Sequence, residues 1–327
     1  MHKAQIDIPV AIIFFNRDDT LEKVFERVKE AKPSKLFFIQ DGPRKNHPED
    51  ELNIEKCRSI VNKTDWDCQV YENYSDVNMG CGQRVYSGIT WAFKYVERLV
   101  ILEDDCVIEP SFLKFCNELL EKYKFDERVS MISALNHFNE WDCCGNDYCF
   151  TNTAAIGAWA TWKRVWDEFD LNMSDFEDPY IQKTLPLSYP DRRAANATIK
   201  HWKDTFEATK KGHVVKYWGA QYDYHKSKSK GLGIVPSHTL SSNIGFGDRA
   251  TFSGSGIQYL RKSIRQWFFQ ETYPMRFPLK HPKAIIADIK YDICYYKISY
   301  PNWLYSLFSR VFYHGKKIIC SVLKSKR

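Results

Sequence analysis

Three acids in a row, Glu103-Asp104-Asp105, follow directly on the apolar run Leu99-Val100-Ile101-Leu102. Four consecutive aliphatic residues are the pattern of a strand buried on both faces, as in parallel sheets. Three adjacent carboxylates at its end repel one another and resist burial unless a cation neutralises them. In open α/β sheets ligands collect at the carboxyl ends of the strands. An all-oxygen donor set there suits a hard ion, Mg²⁺ or Mn²⁺, shared with a substrate's phosphates. A solvated acidic loop is the alternative, and the strand just before the triplet favours the metal–diphosphate site.

Other elements must position that triplet. Residues 8–15 are an apolar run ending at Asn16-Arg17, followed by a helical pattern of Leu21, Val24, Phe25 and Val28. A strand from Lys35 to Gln40 runs into the turn Asp41-Gly42-Pro43. A polar helix over 49–62 and a short strand at 68–71 come next. Gly80-Cys81-Gly82-Gln83-Arg84 then opens a helix to about Glu97. A helix from Pro110 to Tyr123 and a strand at 129–134 follow the triplet. Strands alternating with helices at this spacing predict an α/β domain of three layers with a mostly parallel sheet. The second half is less regular and richer in Trp, Tyr and Gly, suited to shaping an acceptor site over the sheet edge. The expected organisation is one domain over 1–260, with a nucleotide-binding half (1–135) and an acceptor half (136–260). A helical, aromatic and basic extension over 261–327 completes the chain.

Hydrophobic residues at 44% and charged residues at 27% describe a globular chain rather than a disordered one. The run Ile8–Phe15 is too short for a signal peptide and is followed at once by Arg17-Asp18-Asp19. No stretch reaches the roughly 18 apolar residues of a membrane span. A cytoplasmic protein with reduced cysteines is expected. Cys143, Cys144 and Cys149, with His137 nearby, match no structural zinc spacing and read as buried or half-buried thiols. The chain is formally +6, but seven basic residues and no acid lie within 293–327, leaving the first 292 residues at −1. A nucleic-acid enzyme would place that basicity around its site, so no nucleic-acid partner is expected. In the tail, Trp303, Leu304, Leu307, Phe308, Val311 and Phe312 recur at helical spacing, as do Ile318, Ile319, Val322 and Leu323. The stripe reads equally as an interfacial helix pair on anionic lipid at the inner membrane face, or as a surface packed on the domain or another subunit.

The order strand–Asn-Arg, strand–Asp-Gly, Gly-Cys-Gly-x-Arg helix and Leu-Glu-Asp-Asp resembles the GT-A nucleotide-sugar glycosyltransferases. It is most similar to a bacterial group related to N-acetylglucosaminyltransferase I. Gly157-Ala158-Trp159-Ala160-Thr161-Trp162-Lys163-Arg164 and Ser242-Asn243-Ile244-Gly245-Phe246-Gly247 fit that group too, so the resemblance spans roughly 8–252. It implies the GT-A type of α/β fold and a role for each matching residue. Arg17 would approach the nucleotide or its phosphates, and Asp41 would accept hydrogen bonds from the base; alternatively the two pair with each other or cap helices. Arg84 would add charge to a helix N-terminus that binds an anion, or lie on the surface. Glu103 and Asp104 would contact the ribose or nucleotide, and Asp105 would coordinate the metal, which stabilises the departing nucleoside diphosphate. Trp159 and Trp162, in a turn, and Trp218 would wall a sugar ring, with core packing as the alternative. Gly245, Phe246 and Gly247 would belong to a loop that orders over the donor and excludes water, or to a static turn.

Two departures from the family stand out. Inverting relatives show Trp-Asp where this chain has Trp218-Gly219, and that Asp is the base that deprotonates the acceptor. In a helix Asp223 lies four residues on from Gly219, on the same face, and becomes the candidate base. Ala250-Thr251-Phe252 lacks the His expected after Thr, leaving His225 or His238 as stand-ins or none. The resemblance implies transfer from a nucleotide-diphospho-sugar, UDP-sugar favoured, to a glycan or lipid-linked glycan with inversion, in cell-surface polysaccharide or lipopolysaccharide synthesis. A sugar nucleotidyltransferase would begin with a Gly-rich basic loop that Phe14-Phe15-Asn16-Arg17 lacks. The remaining alternative is a degenerate member that binds nucleotide or glycan without turnover, which Gly219 favours and the intact triplet opposes.

Overall fold

Val10, Ile12 and Phe14 line one side of the first long strand, and Ala11 and Ile13 line the other; all five are buried. Leu36 and Phe38 against Phe37 and Ile39, and Val100 and Leu102 against Leu99 and Ile101, repeat the pattern. Strands apolar on both faces need a layer of helices on each side. The computed structural model, which describes residues 2–211, 218–246, 257 and 260–300, supplies both layers.

The elements run in order as β1 (His2–Lys3), β2 (Ile6–Phe14), α1 (Asp18–Ala31), β3 (Pro33–Gln40) and α2 (Glu49–Val61). β4 (Trp66–Asp67), β5 (Gln69–Tyr74), α3 (Cys81–Ala92), β6 (Arg98–Glu103) and β7 (Cys106–Ile108) follow. Next come α4 (Ser111–Lys122), β8 (Val129–Ser133), β9 (Tyr148–Thr151), β10 (Ala158–Trp162), α5 (Lys163–Trp166) and α6 (Pro179–Thr184). The last are α7 (Arg192–Lys210), α8 (Gly219–Lys228), β11 (Leu232–Pro236), β12 (Ser241–Asn243), α9 (Lys262–Arg265) and α10 (Ile289–Ser299). The main sheet has the order β5-β3-β2-β6-β10-β8-β11-β9. Its site-bearing half, β5-β3-β2-β6, is wholly parallel, and β10 runs antiparallel to both β6 and β8. The α/β architecture with a mostly parallel sheet is thus the one expected.

α1, α2 and α4 cover one face through Leu21, Val24, Phe25, Val28, Ile60, Phe112 and Leu119. α3 and α8 cover the other through Val85, Ile89, Trp218 and Tyr222. A third cluster, Met173, Phe176, Trp202, Phe206 and Tyr224, packs α7 on α8.

Two local expectations are corrected. The helix opened by Gly80 ends at Ala92 rather than near Glu97, because residues 93–97 are needed to reverse the chain into β6. The Gly-Ala-Trp-Ala-Thr-Trp block is a central strand rather than a turn. Ala158, Ala160 and Trp162 face one core and Trp159 the other, the period of a strand. Residues 261–300 lie against the end of the sheet. Asp292 of α10 is buried and accepts from Asn152 N at 3.0 Å, Asn152 Nδ2 at 2.7 Å and Thr153 Oγ1 at 3.0 Å, and also from Thr151 Oγ1. The apolar stripe from Trp303 onward and Gly247 lie outside the described residues. Among the described residues no helix is long and apolar enough to cross a membrane.

His137 is enclosed by Trp267, Tyr291 and Tyr295, with Nδ1 at 3.2 Å from the Tyr291 hydroxyl, and burial lowers its pKa to about 3. The folded state therefore resists a proton that the unfolded chain takes up near its ordinary value, about 6.5. The stability this neutral ring allows is complete above that value and is lost as pH falls toward 3. Thermal denaturation of the parent and of His137→Gln between pH 7 and pH 4 should show the parent Tm falling more steeply. Parallel curves would exclude His137 as the acid-sensitive group.

Candidate functional site

β2, β3 and β6 all deliver their carboxyl ends to one edge of the sheet, and each ends on residues marked out by their chemistry. Register pairs Ile13 of β2 with Glu103 of β6, so Arg17 emerges beside the acidic triplet. The Arg17 guanidinium bonds Asp104 and lies 3.0 Å from Asp105 Oδ2. The Phe15 amide donates to Asp104 Oδ2 at 3.4 Å, a second tie between the two strand ends. Burial works against the charge on Arg17, but Asp104 and Asp105 outweigh it and hold the guanidinium firmly protonated. Arg17 is thus the resident counter-ion of the triplet, where a nucleotide contact was expected.

One guanidinium does not neutralise three carboxylates. Glu103 carries the surplus: burial first, then the charges of Asp105 and Asp104, push its pKa up to about 8, although the Trp218 side chain hydrogen-bonds it. Burial also raises Asp104, against the pull of Arg17. Oxygens of Glu103 and Asp105 and the Cys106 sulfur lie within 4.8 Å of one another. Burial holds the Cys106 thiol well above its ordinary pKa, so it meets the cluster as a protonated donor, 3.3 Å from Asp105 Oδ1. Near neutral pH Glu103 keeps its proton, and a hard divalent cation that displaced it would meet three carboxylates balanced by one guanidinium, an oxygen donor set that fits such an ion. Asp105 and Glu103 are the residues that would hold it.

Two glycines let backbone close over this cluster. A Cβ on Gly245 would fall 2.0 Å from Asp105 Oδ2, so no side chain fits. Gly157 has φ +137°, and a Cβ there would lie 3.0 Å from the Cys106 sulfur. The Ile244 amide donates to the Asp105 carbonyl at 2.8 Å, and Asn243 Nδ2 to Asp105 Oδ1 at 3.3 Å. The 243–246 segment therefore lies directly on the acids, and Phe246 packs on Phe268.

Several expected roles are corrected by what the side chains touch. Asp41 accepts from the amides of Gly42, Met79 and Gly80 and from Asn78 Nδ2, at 2.8–3.0 Å. Four donors fill a carboxylate's acceptor sites, so Asp41 fixes the loop before α3 and has no capacity left for a base. Arg84 is buried, with Nε bonded to the Gln40 carbonyl at 3.0 Å and Nη2 to Asn73 Oδ1 at 2.8 Å. It clamps the ends of β3 and β5 and offers no charge to an anion. Trp159 is 0% exposed and packs on Trp218, Tyr222 and Trp166. Trp162, on the opposite face, is buried with its indole N–H on the Leu120 carbonyl at 2.9 Å. Neither ring has a free face for a sugar. Trp218 is also buried, but its edge reaches Glu103.

Trp218 and Gly219 open α8 beside the triplet, and Asp223 lies one turn on. Its carboxylate is 44% exposed, 3.8 Å from Lys226, and its charge acts on Tyr189, Tyr295, Tyr296 and Tyr300. His225 is buried against Phe169 and Tyr222, which removes it as a stand-in. His238 lies beside Glu140. Cys106, Asn243 and Gly157 were not singled out by sequence; Cys106 adjoins the triplet, and the two others stand in blocks that the sequence marks for different reasons.

No protein-family model matches the chain, and no curated protein matches it. Among solved structures it is similar to a UDP-glucose pyrophosphorylase complexed with UDP-glucose, at 12% identity over 71% of this chain and 91% of that one, with a TM-score of 0.35. It is similar to a 4-diphosphocytidyl-2C-methyl-D-erythritol synthase from Anaerococcus prevotii, at 11% identity over 76% and 97%, with a TM-score of 0.34. A third, the inositol-1-phosphate CTP transferase from T. maritima, aligns at 10% identity over 49% and 73%, with a TM-score of 0.28. Likenesses this distant assign no function.

If Arg17 is the counter-ion of the site, a divalent cation must compete with it. In chelator, Arg17→Gln should lower Tm, because removing one partner of a largely buried pair typically costs about 3–5 kcal/mol. Added Mn²⁺ should then raise Tm more in the variant than in the parent. Equal Mn²⁺ shifts in the two proteins would show that guanidinium and metal do not share the carboxylates.

Proposed function

We propose that this chain is a metal-dependent glycosyltransferase that moves a sugar from a nucleotide-diphospho-sugar, a UDP-sugar first, to a glycan hydroxyl with inversion. The observation that supports it most is the paired oxygens of Glu103 and Asp105 at the end of β6, in surplus over Arg17. Asp105, with Glu103, would hold Mn²⁺ or Mg²⁺, which would stabilise the charge gathering on the departing nucleoside diphosphate. Arg17, set between Asp104 and Asp105, is near enough to turn its charge toward a diphosphate. Asp223, among its tyrosines, takes the proton from the acceptor hydroxyl. That oxygen bonds the anomeric carbon from the face opposite the leaving group, and the diphosphate departs with the bonding electron pair. The 243–246 backbone, laid over Asp105, shields the reacting centre from water. From the resemblance come a glycan or lipid-linked glycan acceptor, cell-surface polysaccharide or lipopolysaccharide synthesis, and a cytoplasmic enzyme whose basic residues 293–327 meet an anionic membrane face. Gly219 favours a second reading, a binding protein without turnover.

Calorimetry with UDP should show tighter binding in Mn²⁺ than in chelator, and Asp105→Ala should abolish the difference; equal affinity in both buffers would falsify the metal site. Given a working donor and acceptor, Asp223→Asn should cut transfer by about 10²–10⁴-fold while donor affinity holds. Unchanged transfer removes Asp223 as the base. A Cβ on Gly219 meets only the tip of Ile156, at 2.9 Å, so Gly219→Asp can be accommodated and should restore turnover to Asp223→Asn.

A further inference from the structure

Two turns along α8 from Trp218, Lys226 is only 3% exposed, an expensive place for an ammonium group. Its Nζ donates to the Asn152 carbonyl and lies 3.8 Å from Asp223, which leaves donor capacity on a group with three N–H bonds. That group lines a cavity of about 190 Å³ between α8 and α10. Lys230, Ser227, Tyr189 and Tyr296 also line it, and the two tyrosine rings meet edge to face at 5.6 Å. Asp292 reaches the same cavity, but its oxygens are committed to Thr151, Asn152 and Thr153. The cationic donors that face a ligand are therefore the two ammonium groups, while Asp292 and Asp223 keep negative charge at the cavity's edge. Ligand pockets for drug-sized molecules run to roughly 300–1,000 Å³, so this one suits a smaller guest.

We propose that this cavity binds an oxyanion, phosphate or carboxylate, carried on a single sugar unit, with Lys226 and Lys230 on the anion and Tyr189, backed by Tyr296, on the ring. Ammonium groups, here one buried on Lys226 and one exposed on Lys230, bind an oxyanion by charge-assisted hydrogen bonds, and a tyrosine ring offers an apolar face to the C–H edges of a sugar. Asp223, beside Lys226, places this guest next to the candidate base. That the guest is the acceptor, or its anionic neighbouring unit, rests on the transferase reading; the binding itself does not.

Calorimetry on the full chain with glucose 6-phosphate, glucuronate, inorganic phosphate and glucose tests this. One of the two anionic sugars should bind at least about tenfold more tightly than glucose and than inorganic phosphate, and which one it is names the anion. Lys230→Gln and Lys226→Met should each weaken it by about tenfold or more, the loss of one charge-assisted bond, with UDP–Mn²⁺ affinity unchanged. Should Lys226→Met fail to fold, Lys230→Gln and Ser227→Ala carry the comparison. No anionic sugar binding at millimolar concentration, glucose binding equally well, or parental affinity in the lysine variants would overturn the proposal. A loss of UDP–Mn²⁺ binding in Asp105→Ala alone bears on the transferase reading and leaves this one standing.

Discussion

The pairing of Arg17 with Asp104 and Asp105 is the constraint on which this edge of the sheet depends. Carboxylates at the end of a strand buried on both faces have little water to solvate them, so the chain supplies a guanidinium from the next strand. That choice fixes how β2 and β6 end relative to each other. It also decides how close the 243–246 backbone can come, since Gly245 sits on the very oxygen that Arg17 approaches. The compensation is incomplete, and the raised Glu103 records the remainder. Enclosed oxygens whose repulsion one guanidinium does not relieve are a donor set that a hard cation would suit.

Aromatic packing sets the other wall. Trp159, Trp166, Trp218 and Tyr222 form one contiguous cluster between the sheet and α8. These rings hold the first turn of α8 against the triplet, so the Trp218 edge reaches Glu103 and Asp223 projects toward α10. Trp159 and Trp166 act on the site through the position they give Trp218.

The parallel strands, their helices and the place of the triplet were legible in the sequence, because an apolar run such as Leu99–Leu102 has one physical solution and the acids that stop it mark its end. Arg17 and Asp41 were legible as residues at strand ends but not in their partners. Whether a guanidinium meets a phosphate or a carboxylate depends on chain nearly ninety positions away. Arg84 and Trp159 misled for a related reason: types that bind ligands on a surface bind backbone and other rings in a core, and burial is a tertiary property. Trp159 and Trp162 are three apart and fall on opposite faces, and the uncharged run Ala158–Trp162, the pattern of a strand buried on both sides, was the available signal for β10. Lys226 gave no signal, since a helical lysine normally reaches solvent.

β10 has a consequence for how the chain can be divided. It is drawn from residues 158–162, yet it pairs with β6 from Leu102 to Arg98, all but its last residue. Without it, β6 would become an edge strand, apolar on both faces and with backbone groups open to pairing with another chain. A chain cut off near residue 135 would therefore expose a self-association surface in place of a solvated boundary. The antiparallel strand that looks like an intrusion in a parallel sheet is what leaves β6 with no open edge.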